Sequence, residues 1–207
     1  MATLLDNQPS ALIEPWEPAL QKGIRLYLEQ VALAHGVISP AHVKDTPQRV
    51  VRAFAEYFAG CTVDASACLT TEFAEGSYDE MIHKIVPFIS RCSHHLEAIV
   101  GKAHFAYIPN GRIIGLSKIS RFIQVLAKRP QVQENLTSQI VDVFQNTFKP
   151  AGCAVSIRAY HFCVIARGVN EHPSPMETTA LRGVLKDRLE TRQEFLQTIN
   201  RMEPIFP

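Results

Sequence analysis

Two short segments of the sequence combine cysteine and histidine in a spacing that suits a metal ion. Cys92 and His95 lie three positions apart in Cys92-Ser-His-His95, directly after a predicted strand. This spacing lets a thiolate and an imidazole reach one ion where the chain turns. Cys163, much further along the chain, is the third candidate ligand. Two thiolates and one imidazole with an open fourth position are typical of catalytic zinc and leave room for an activated water.

The same segments carry histidines that could transfer protons. His94 is adjacent to His95, so in an extended segment their side chains diverge, and one can hold the metal while the other faces a substrate. His161 precedes Cys163 by two positions on a predicted strand, which would place both on the same face. Because imidazole titrates near neutrality, these histidines suit general acid–base catalysis.

A further set of residues suits a phosphate group. Ser117, Lys118 and Arg121 open a predicted helix, whose free N–H groups and dipole attract anions. Arg167 follows the Cys163 segment, and Arg49 lies in an earlier predicted helix. Serine is also a common helix N-cap and basic residues are frequent on solvated helix faces, so these residues alone leave a purely structural role open.

Gln133 and Glu134 stand where one predicted helix has ended at Pro130 and the next begins. A carboxylate at this place can accept two hydrogen bonds from adjacent N–H donors, such as N1 and the exocyclic amine of guanine. An acidic residue is also favoured in the first turn of any helix. The residues alone do not choose between these roles.

Composition excludes several classes of protein. The chain has 207 residues, 46% of them hydrophobic, and 21 Lys and Arg against 20 Asp and Glu. The near-neutral charge argues against binding to duplex nucleic acid or to an anionic membrane. Five cysteines, an odd and irregularly spaced set, favour reduced thiols over a disulfide scaffold. Without the basic flank and apolar run of a signal peptide, we expect a cytoplasmic protein.

The order of predicted elements is α, α, β, β, α, α, β, β, α. The second helix is predicted to start with Thr46 as N-cap and Pro47 in the first turn, and Ser117 is predicted to cap a later helix. The predicted strand segments are residues 81–90, 97–108, 153–165 (a strand or hairpin) and 178–185. We expect an α+β structure, with an N-terminal arm and helical region over residues 1–70 and a catalytic domain over 71–207. Its long strand edges must be covered, which oligomerisation through the sheet would achieve.

Taken together, these motifs resemble the GTP cyclohydrolase I family. The resemblance runs from Asp45-Thr-Pro-Gln-Arg49 to Thr191-Arg-Gln-Glu-Phe195. Its other landmarks are Cys92-Ser-His-His95, Gly101-Lys-Ala-His-Phe-Ala-Tyr-Ile-Pro-Asn-Gly111, Gly115-Leu-Ser-Lys-Ile119, Arg129-Pro-Gln-Val-Gln-Glu134 and His161-Phe-Cys-Val-Ile-Ala-Arg-Gly168. The family implies the tunnelling fold, an antiparallel ββ-αα-ββ unit with N-terminal helices. In that fold the sheets join into an oligomeric barrel, typically a homodecamer with active sites between subunits.

The resemblance also implies an activity and assigns roles by position. The activity is the zinc-dependent conversion of GTP and water to 7,8-dihydroneopterin triphosphate and formate, the first step of pterin, folate or deazapurine biosynthesis. The implied zinc ligands are Cys92, His95 and Cys163, and the implied proton-transfer residues are His94 and His161. The implied substrate contacts are Glu134 for the guanine edge, Gln133 and Ser117 for the ribose, and Lys118, Arg121, Arg167 and Arg49 for the triphosphate.

Two positions depart from the usual family pattern. Ser93 stands where the family usually has an acidic residue, and Glu177 is added to a run that is usually Ser and Thr. Two alternatives therefore stay open. One is a divergent paralogue that opens the purine ring without the full rearrangement, or that acts on another nucleotide. The other is a non-catalytic oligomer that binds nucleotide and holds zinc only for structure.

Overall fold

The computed structural model describes residues 17–33, 35–36, 39–70, 72–73, 79–171 and 174–201. Two compact units divide the chain, the first ending at Thr62 and the second beginning at Val63. The division predicted from the sequence falls later, after residue 70. Ala65, Cys68 and Leu69 precede that point and belong to the core of the second unit. The predicted N-terminal arm, up to about residue 18, lies almost entirely outside the described residues.

The first unit is helical. Its elements are α1 (Glu17–Tyr27), a π-helical turn (Leu28–Leu33), α2 (Pro40–Tyr57) and a 3-10 turn (Ala59–Thr62). The predicted start of α2 at Thr46 is wrong, because Ser39 is the N-cap and Pro40 occupies the first turn. Pro47 therefore lies inside the helix, where its missing N–H removes one backbone hydrogen bond.

An antiparallel sheet forms the centre of the second unit. The strands are β1 (Glu72–Phe73), β2 (Ile82–Cys92), β3 (Ala98–Ile108), β4 (Ile113–Ile114), β5 (Pro130–Gln131), β6 (Gly152–His161) and β7 (Met176–Gly183). The main sheet has the order β5-β2-β3-β6-β7, in which the four long strands pair antiparallel and β5 adds a short parallel pair. β1 pairs with β4 in a separate two-stranded sheet.

Helices cover the sheet. The helices of the second unit are α3 (Leu116–Ala127), α4 (Gln133–Phe148), α5 (Phe162–Ile165), α6 (Val184–Asp187) and α7 (Leu189–Arg201). Phe105 and Phe144 meet edge to face, with ring centroids 4.8 Å apart, in the core that β3 shares with α3 and α4. On the other side of the sheet, Phe195 of α7 is fully buried and stacks on His83. The α+β prediction, with two ββ units around a helix pair, is confirmed.

The predicted strand over residues 153–165 ends earlier in the structure. β6 stops at His161, and Phe162 begins the helical turn α5. His161 pairs with Ile99, which is next to the first residue of β3. The residues after His161 therefore have almost no β3 residues left to pair with. A helical turn satisfies their backbone groups instead, and the N–H of Ala166 donates to Phe162 O at 2.9 Å. The expectation that His161 and Cys163 share one strand face is therefore wrong.

No helix in the described part of the chain has the length and the apolar character that a membrane span needs.

A close approach between β3 and β6 provides a test of this packing. A Cβ atom on Gly101 would lie 2.4 Å from both the Cβ of Ala159 and the carbonyl oxygen of Arg158. Because both neighbours belong to the strand that ends at His161, we expect Gly101→Ala to lower the free energy of unfolding by about 1–3 kcal/mol. The midpoint of thermal unfolding should fall accordingly.

Gly23→Ala is the matched control. A Cβ at Gly23 would meet nothing within 4 Å, and inside α1 alanine is favoured over glycine by about 1 kcal/mol. Its unfolding midpoint should therefore not fall. An unchanged midpoint for Gly101→Ala would contradict the close approach of the two strands.

Candidate metal centre and active site

Three side chains from two distant segments converge at one end of the main sheet. The ligand atoms of Cys92, His95 and Cys163 all lie within 4.8 Å of one another. Cys92 is buried at the end of β2, Cys163 is half-buried in α5, and His95 is exposed in the turn after β2. The structure thus brings together the three residues that the sequence predicts as metal ligands.

Strand pairing explains this convergence. β2 and β6 both run antiparallel to β3, so their C-termini lie at the same end of the sheet. They are separated there by two strand spacings, or about 10 Å. Cys92 is the last residue of β2, and His161 is the last residue of β6. The helical turn α5 then carries the thiol of Cys163 across to Cys92.

A tight turn between β2 and β3 positions the two adjacent histidines. The N–H of Cys92 donates to Glu97 O at 2.9 Å, and the N–H of Leu96 donates to Cys92 O at 2.8 Å. Leu96 adopts a left-handed backbone conformation with φ of 55°. The planes of the His94 and His95 rings make an angle of 70° with each other. Nδ1 of His94 lies 3.7 Å from Sγ of Cys92. His94 therefore stands beside the ligand cluster to which His95 contributes.

The neighbouring Cys92 disfavours ionisation of the Cys163 thiol. Burial, a hydrogen bond with Cys92 and the charge of Cys92 raise the pKa of the Cys163 thiol, and Arg167 acts in the opposite direction. A divalent cation between the sulfurs would remove this repulsion and release protons. The cation would replace the proton that the pair otherwise retains.

The donor set fits zinc. Thiolate sulfur and imidazole nitrogen are the ligands that Zn²⁺ prefers, at distances of about 2.0–2.3 Å. In a tetrahedral site these distances put the ligand atoms about 3.3–3.8 Å apart. The observed separations, all within 4.8 Å, require only small side-chain adjustments. Three protein ligands would leave one position of a tetrahedral site for a water or substrate.

His161 lies beside Cys163 in the sequence and is held by the start of α4. Its Nε2 is 2.8 Å from Oε1 of Gln133, which is 1% exposed. Burial lowers the pKa of His161, and the charge of Glu134 acts in the opposite direction. His161, Gln133 and Glu134 therefore lie close together in the structure.

Two threonines complete the surroundings of His161, and sequence reasoning did not single them out. The hydroxyls of Thr137 and Thr178 are 2.6 Å apart, and Nε2 of Gln133 lies 2.9 Å from Oγ1 of Thr178. Thr137 follows Gln133 by four positions on α4, a spacing that places both on one helix face and could have identified it. The spacing of residues does not place Thr178 beside Gln133, because strand β7 reaches this place only through its pairing with β6.

The predicted phosphate residues open α3. Gly115 is the N-cap of this helix, so the predicted capping role of Ser117 is wrong, and Ser117 is exposed in the first turn. Lys118 and Arg121 are half-buried. Burial raises the pKa of the Cys68 thiol, and the charges of Lys118 and Arg121 oppose that rise. The two cations thus share one neighbourhood at the start of α3.

The remaining predicted arginines lie in different units. Arg167 is exposed after α5, close enough to Cys163 to affect its pKa. Arg49 belongs to α2 in the first unit, where its guanidinium donates to Thr46 Oγ1 at 3.1 Å and lies 3.9 Å from Asp45. That these arginines meet the same substrate as Lys118 and Arg121 stays a prediction.

Comparison with known proteins decides the family. A family model described as GTP cyclohydrolase I matches residues 25–200. The chain belongs to the GTP cyclohydrolase I family. The GTP cyclohydrolase 1 of Streptococcus agalactiae serotype V is 40% identical over 188 residues, which cover 90% of this chain and 99% of that protein. The GTP cyclohydrolase 1 of Mycobacterium bovis is 45% identical over 158 residues, which cover 75% of this chain and 78% of that protein.

Among solved structures, the archaeosine synthase QueF-Like in its apo form aligns with a TM-score of 0.44 and 14% identity, covering 52% of this chain and 97% of that chain. The family match confirms the resemblance drawn from the motifs. It also confirms the prediction that the chain is an enzyme of this type.

The two departures from the usual GTP cyclohydrolase I pattern leave the cluster in place. Ser93 is exposed in the turn after β2, and its backbone N–H donates to Gln131 O at 3.2 Å. Glu177 accepts a hydrogen bond from Ser156 at 2.9 Å. Because side chains alternate along a strand, Glu177 points to the sheet face opposite Thr178 and away from the surroundings of His161.

Removing one thiol tests the metal centre. Cys163→Ala deletes one of three ligand atoms, so we expect it to lose the Zn²⁺ or Co²⁺ that the unaltered protein retains after dialysis. Metal analysis measures the retained ion, and the thiolate absorption of the Co²⁺ form reports sulfur ligation.

Cys153→Ala is the matched control for that change. Burial raises the pKa of Cys153 to about 12, so this thiol stays protonated, and its Sγ donates to Val141 O at 3.5 Å. This variant should retain the metal. Equal metal content in the two variants would rule out Cys163 as a ligand.

Proposed function

We propose that this protein is a zinc-dependent GTP cyclohydrolase I, which converts GTP and water to 7,8-dihydroneopterin triphosphate and formate. The observation that carries the proposal is the convergence of Cys92, His95 and Cys163, with His94 and His161 beside them. Family membership supports the choice of reaction. The geometry supports the choice of groups that bind the metal and move protons.

Cys92, His95 and Cys163 would hold the zinc ion. When bound, the ion supplies a Lewis acid that makes water a better nucleophile near neutral pH. The exposed His95 and the half-buried Cys163 leave this end of the sheet accessible to a substrate. The other groups of the site bind, orient and exchange protons.

Opening the imidazole ring of guanine requires two proton transfers. A base must take a proton from the water that adds at C8, and an acid must protonate the ring nitrogen that leaves. His94, 3.7 Å from the Cys92 sulfur, and His161 are the groups we assign to these transfers. A second hydrolysis frees C8 as formate. The ribose then opens, rearranges and closes into the new ring, with further proton transfers at the same groups.

The substrate contacts follow from the chemistry of each side chain. Glu134, exposed in the first turn of α4 and close to His161, accepts hydrogen bonds from the guanine edge. We assign the ribose to the exposed Ser117, and the triphosphate to Lys118, Arg121, Arg167 and Arg49. Because the triphosphate does not react, these cations contribute binding and orientation.

The sheet edges support the tunnelling-fold assembly that the family implies. Among the described residues, β2 has no partner strand over residues 82–90 on its outer edge, and the outer edge of β7 has none. A groove of about 540 Å³ runs beside β2, lined by Phe88, Ile89, Gln124 and Lys128 among others. Ile89 is 59% exposed. Unpaired edges of this kind invite pairing with another chain.

Pairing β2 of one subunit with β7 of the next would cover both edges and close a ring. Two such rings stack in the decamer that the family implies. Sites between subunits would let Lys118, Arg121 or Arg49 of one chain complete the site of another. We therefore propose a homodecamer whose active sites are shared between subunits.

The assembly is tested by native mass spectrometry of the zinc-loaded protein. We expect the mass of ten chains, because two stacked rings of five leave no free sheet edge. A monomer at concentrations where the protein turns over GTP would contradict the shared site and leave the reaction itself in place.

The reaction is tested by mass spectrometry of the products after incubation of the zinc-loaded protein with GTP. We expect formate and 7,8-dihydroneopterin triphosphate in equal amounts. His94→Ala and His161→Ala should each lower the rate by about 100-fold or more, while zinc content and GTP binding persist. His35→Ala, at an exposed position in the first unit, is the control that should keep full activity.

Each other outcome identifies one alternative. Formate without the pterin would indicate a paralogue that stops after ring opening, and turnover of another nucleotide alone would indicate a changed substrate. Binding of GTP and zinc without any product, unaltered by the histidine substitutions, would indicate a non-catalytic oligomer.

A further inference from the structure

The side chain of Gln133 connects three elements of the second unit. From the first residue of α4, its Nε2 lies 3.1 Å from Ile157 O in β6, 3.2 Å from Met176 O in β7 and 2.9 Å from Thr178 Oγ1. Its Oε1 lies 2.8 Å from Nε2 of His161. With 1% of the residue exposed, both ends of the amide are engaged inside the protein.

The hydroxyls of Thr137 and Thr178 determine the orientation of the Gln133 side-chain amide. Thr137 donates its hydroxyl proton to the backbone oxygen of Gln133 at 2.7 Å, so its oxygen must accept at the 2.6 Å contact with Thr178. The proton of Thr178 is then used, and its oxygen can only accept from the Gln133 amide. The three groups form a closed cycle in which every hydroxyl proton has one acceptor.

The reversed amide is excluded by the same contacts. Reversal would place Oε1 of Gln133 against the carbonyl oxygens of Ile157 and Met176 and against the accepting oxygen of Thr178. None of these three atoms has a proton to give, so the amide oxygen would be buried among acceptors, which is costly. The amide oxygen therefore faces His161.

An amide oxygen only accepts, so the facing ring nitrogen of His161 must carry the proton. In a neutral imidazole one nitrogen is a donor and the other an acceptor. With the proton on Nε2, the lone pair is on Nδ1. The hydrogen bond that one ring nitrogen makes thus decides which nitrogen can receive a proton.

From this geometry we propose that Gln133 is a positioning residue that holds His161 as its Nε2–H tautomer and leaves Nδ1 to exchange protons with the substrate. The proposal rests on the proposed function, since it concerns how His161 acts there. The family resemblance implies that Gln133 contacts the ribose. We propose instead that Gln133 acts on the reaction by orienting His161.

The first test observes the tautomer directly and does not depend on turnover. Zinc-loaded protein labelled with ¹⁵N in the histidine rings is examined by solid-state NMR at a pH well above the ordinary histidine pKa. The resonances of His161 are those lost in His161→Ala. We expect a protonated Nε2 and an unprotonated Nδ1. A proton on Nδ1 of His161 would overturn the proposal.

The second test separates positioning from substrate contact. Gln133→Leu keeps the side-chain volume and removes both amide groups. We expect kcat to fall by about 10- to 100-fold, the usual effect of losing the partner that orients a site histidine, while KM changes by less than about 3-fold. A raised KM with unchanged kcat would instead establish a ribose contact and overturn the proposal.

The control is a second glutamine on the same helix. Gln145 is half-buried, and its amide donates to Pro150 O at 3.1 Å and accepts from the Cys153 thiol at 3.5 Å, whereas the amide of Gln133 contacts His161. Gln145→Leu removes a comparable amide from α4 and should leave kcat within about 2-fold of the unaltered protein. A loss equal to that of Gln133→Leu would show that the effect is structural.

Combining variants shows whether Gln133 acts through His161. In a His161→Ala background, Gln133→Leu should lower kcat by less than about 2-fold, because the group that it positions is already absent. Equal losses in both backgrounds would overturn the proposal. If the unaltered protein makes no product from GTP, the proposed function fails, and the NMR measurement still decides the tautomer.

Discussion

The site depends on one constraint, the antiparallel pairing of β3 with a strand on each side. Because β2 and β6 both run antiparallel to β3, their C-termini lie at the same end of the sheet. Cys92 and Cys163 are thereby brought close although 163 − 92 = 71 positions separate them in the sequence. Gly101 permits this pairing at a point where a side chain would collide with β6. A change of register by one residue would turn the thiol of Cys92 to the other face of the sheet.

Electrostatics gives the converged residues their chemical character. Two sulfur atoms held close together in a partly buried place resist losing both protons, as the raised pKa of Cys163 indicates. Such a pair is stabilised by a cation that accepts two thiolates and an imidazole. The exposed histidine and the half-buried thiol keep the pair open to solvent on one side. Structural zinc sites, in contrast, are closed by a fourth protein ligand.

A second, separate hydrogen-bond network orients the imidazole of His161. It joins α4 to β6 and β7 through the amide of Gln133 and the hydroxyls of Thr137 and Thr178. Every donor in this network has an acceptor. The buried amide of Gln133, whose burial would otherwise cost free energy, therefore holds His161 rigidly. The helix pair therefore does more than cover the sheet, because the first turn of α4 supplies the residue that contacts His161. The Cys92, His95 and Cys163 cluster and the network that supports His161 meet where β6 ends and α5 begins.

Much of the fold and of the candidate site could be predicted from the sequence, because the patterns that indicate them lie within short segments. The spacing of Cys92 and His95, the alternation of apolar residues along β2 and β3, and the family motifs all lie within short segments. They predict the order of the long helices and strands, the α+β class, the family and the three residues that converge, but not the short elements β1, β4, β5, α5 and α6. The start of α2 was misplaced, because Thr46-Pro47 is as good a local signal for a helix start as Ser39-Pro40.

The tertiary structure alone decided where β6 ends and what surrounds His161. The β-branched residues after His161 favour a strand, but a strand needs a neighbour, and β3 has nearly run out at that point. Cys163 therefore reaches Cys92 from a helical turn. The orientation of the Gln133 amide depends on carbonyl oxygens of Ile157 and Met176, which lie far from it in the sequence. Local propensity describes what a segment prefers, whereas strand ends and proton positions depend on partners that only the folded chain supplies.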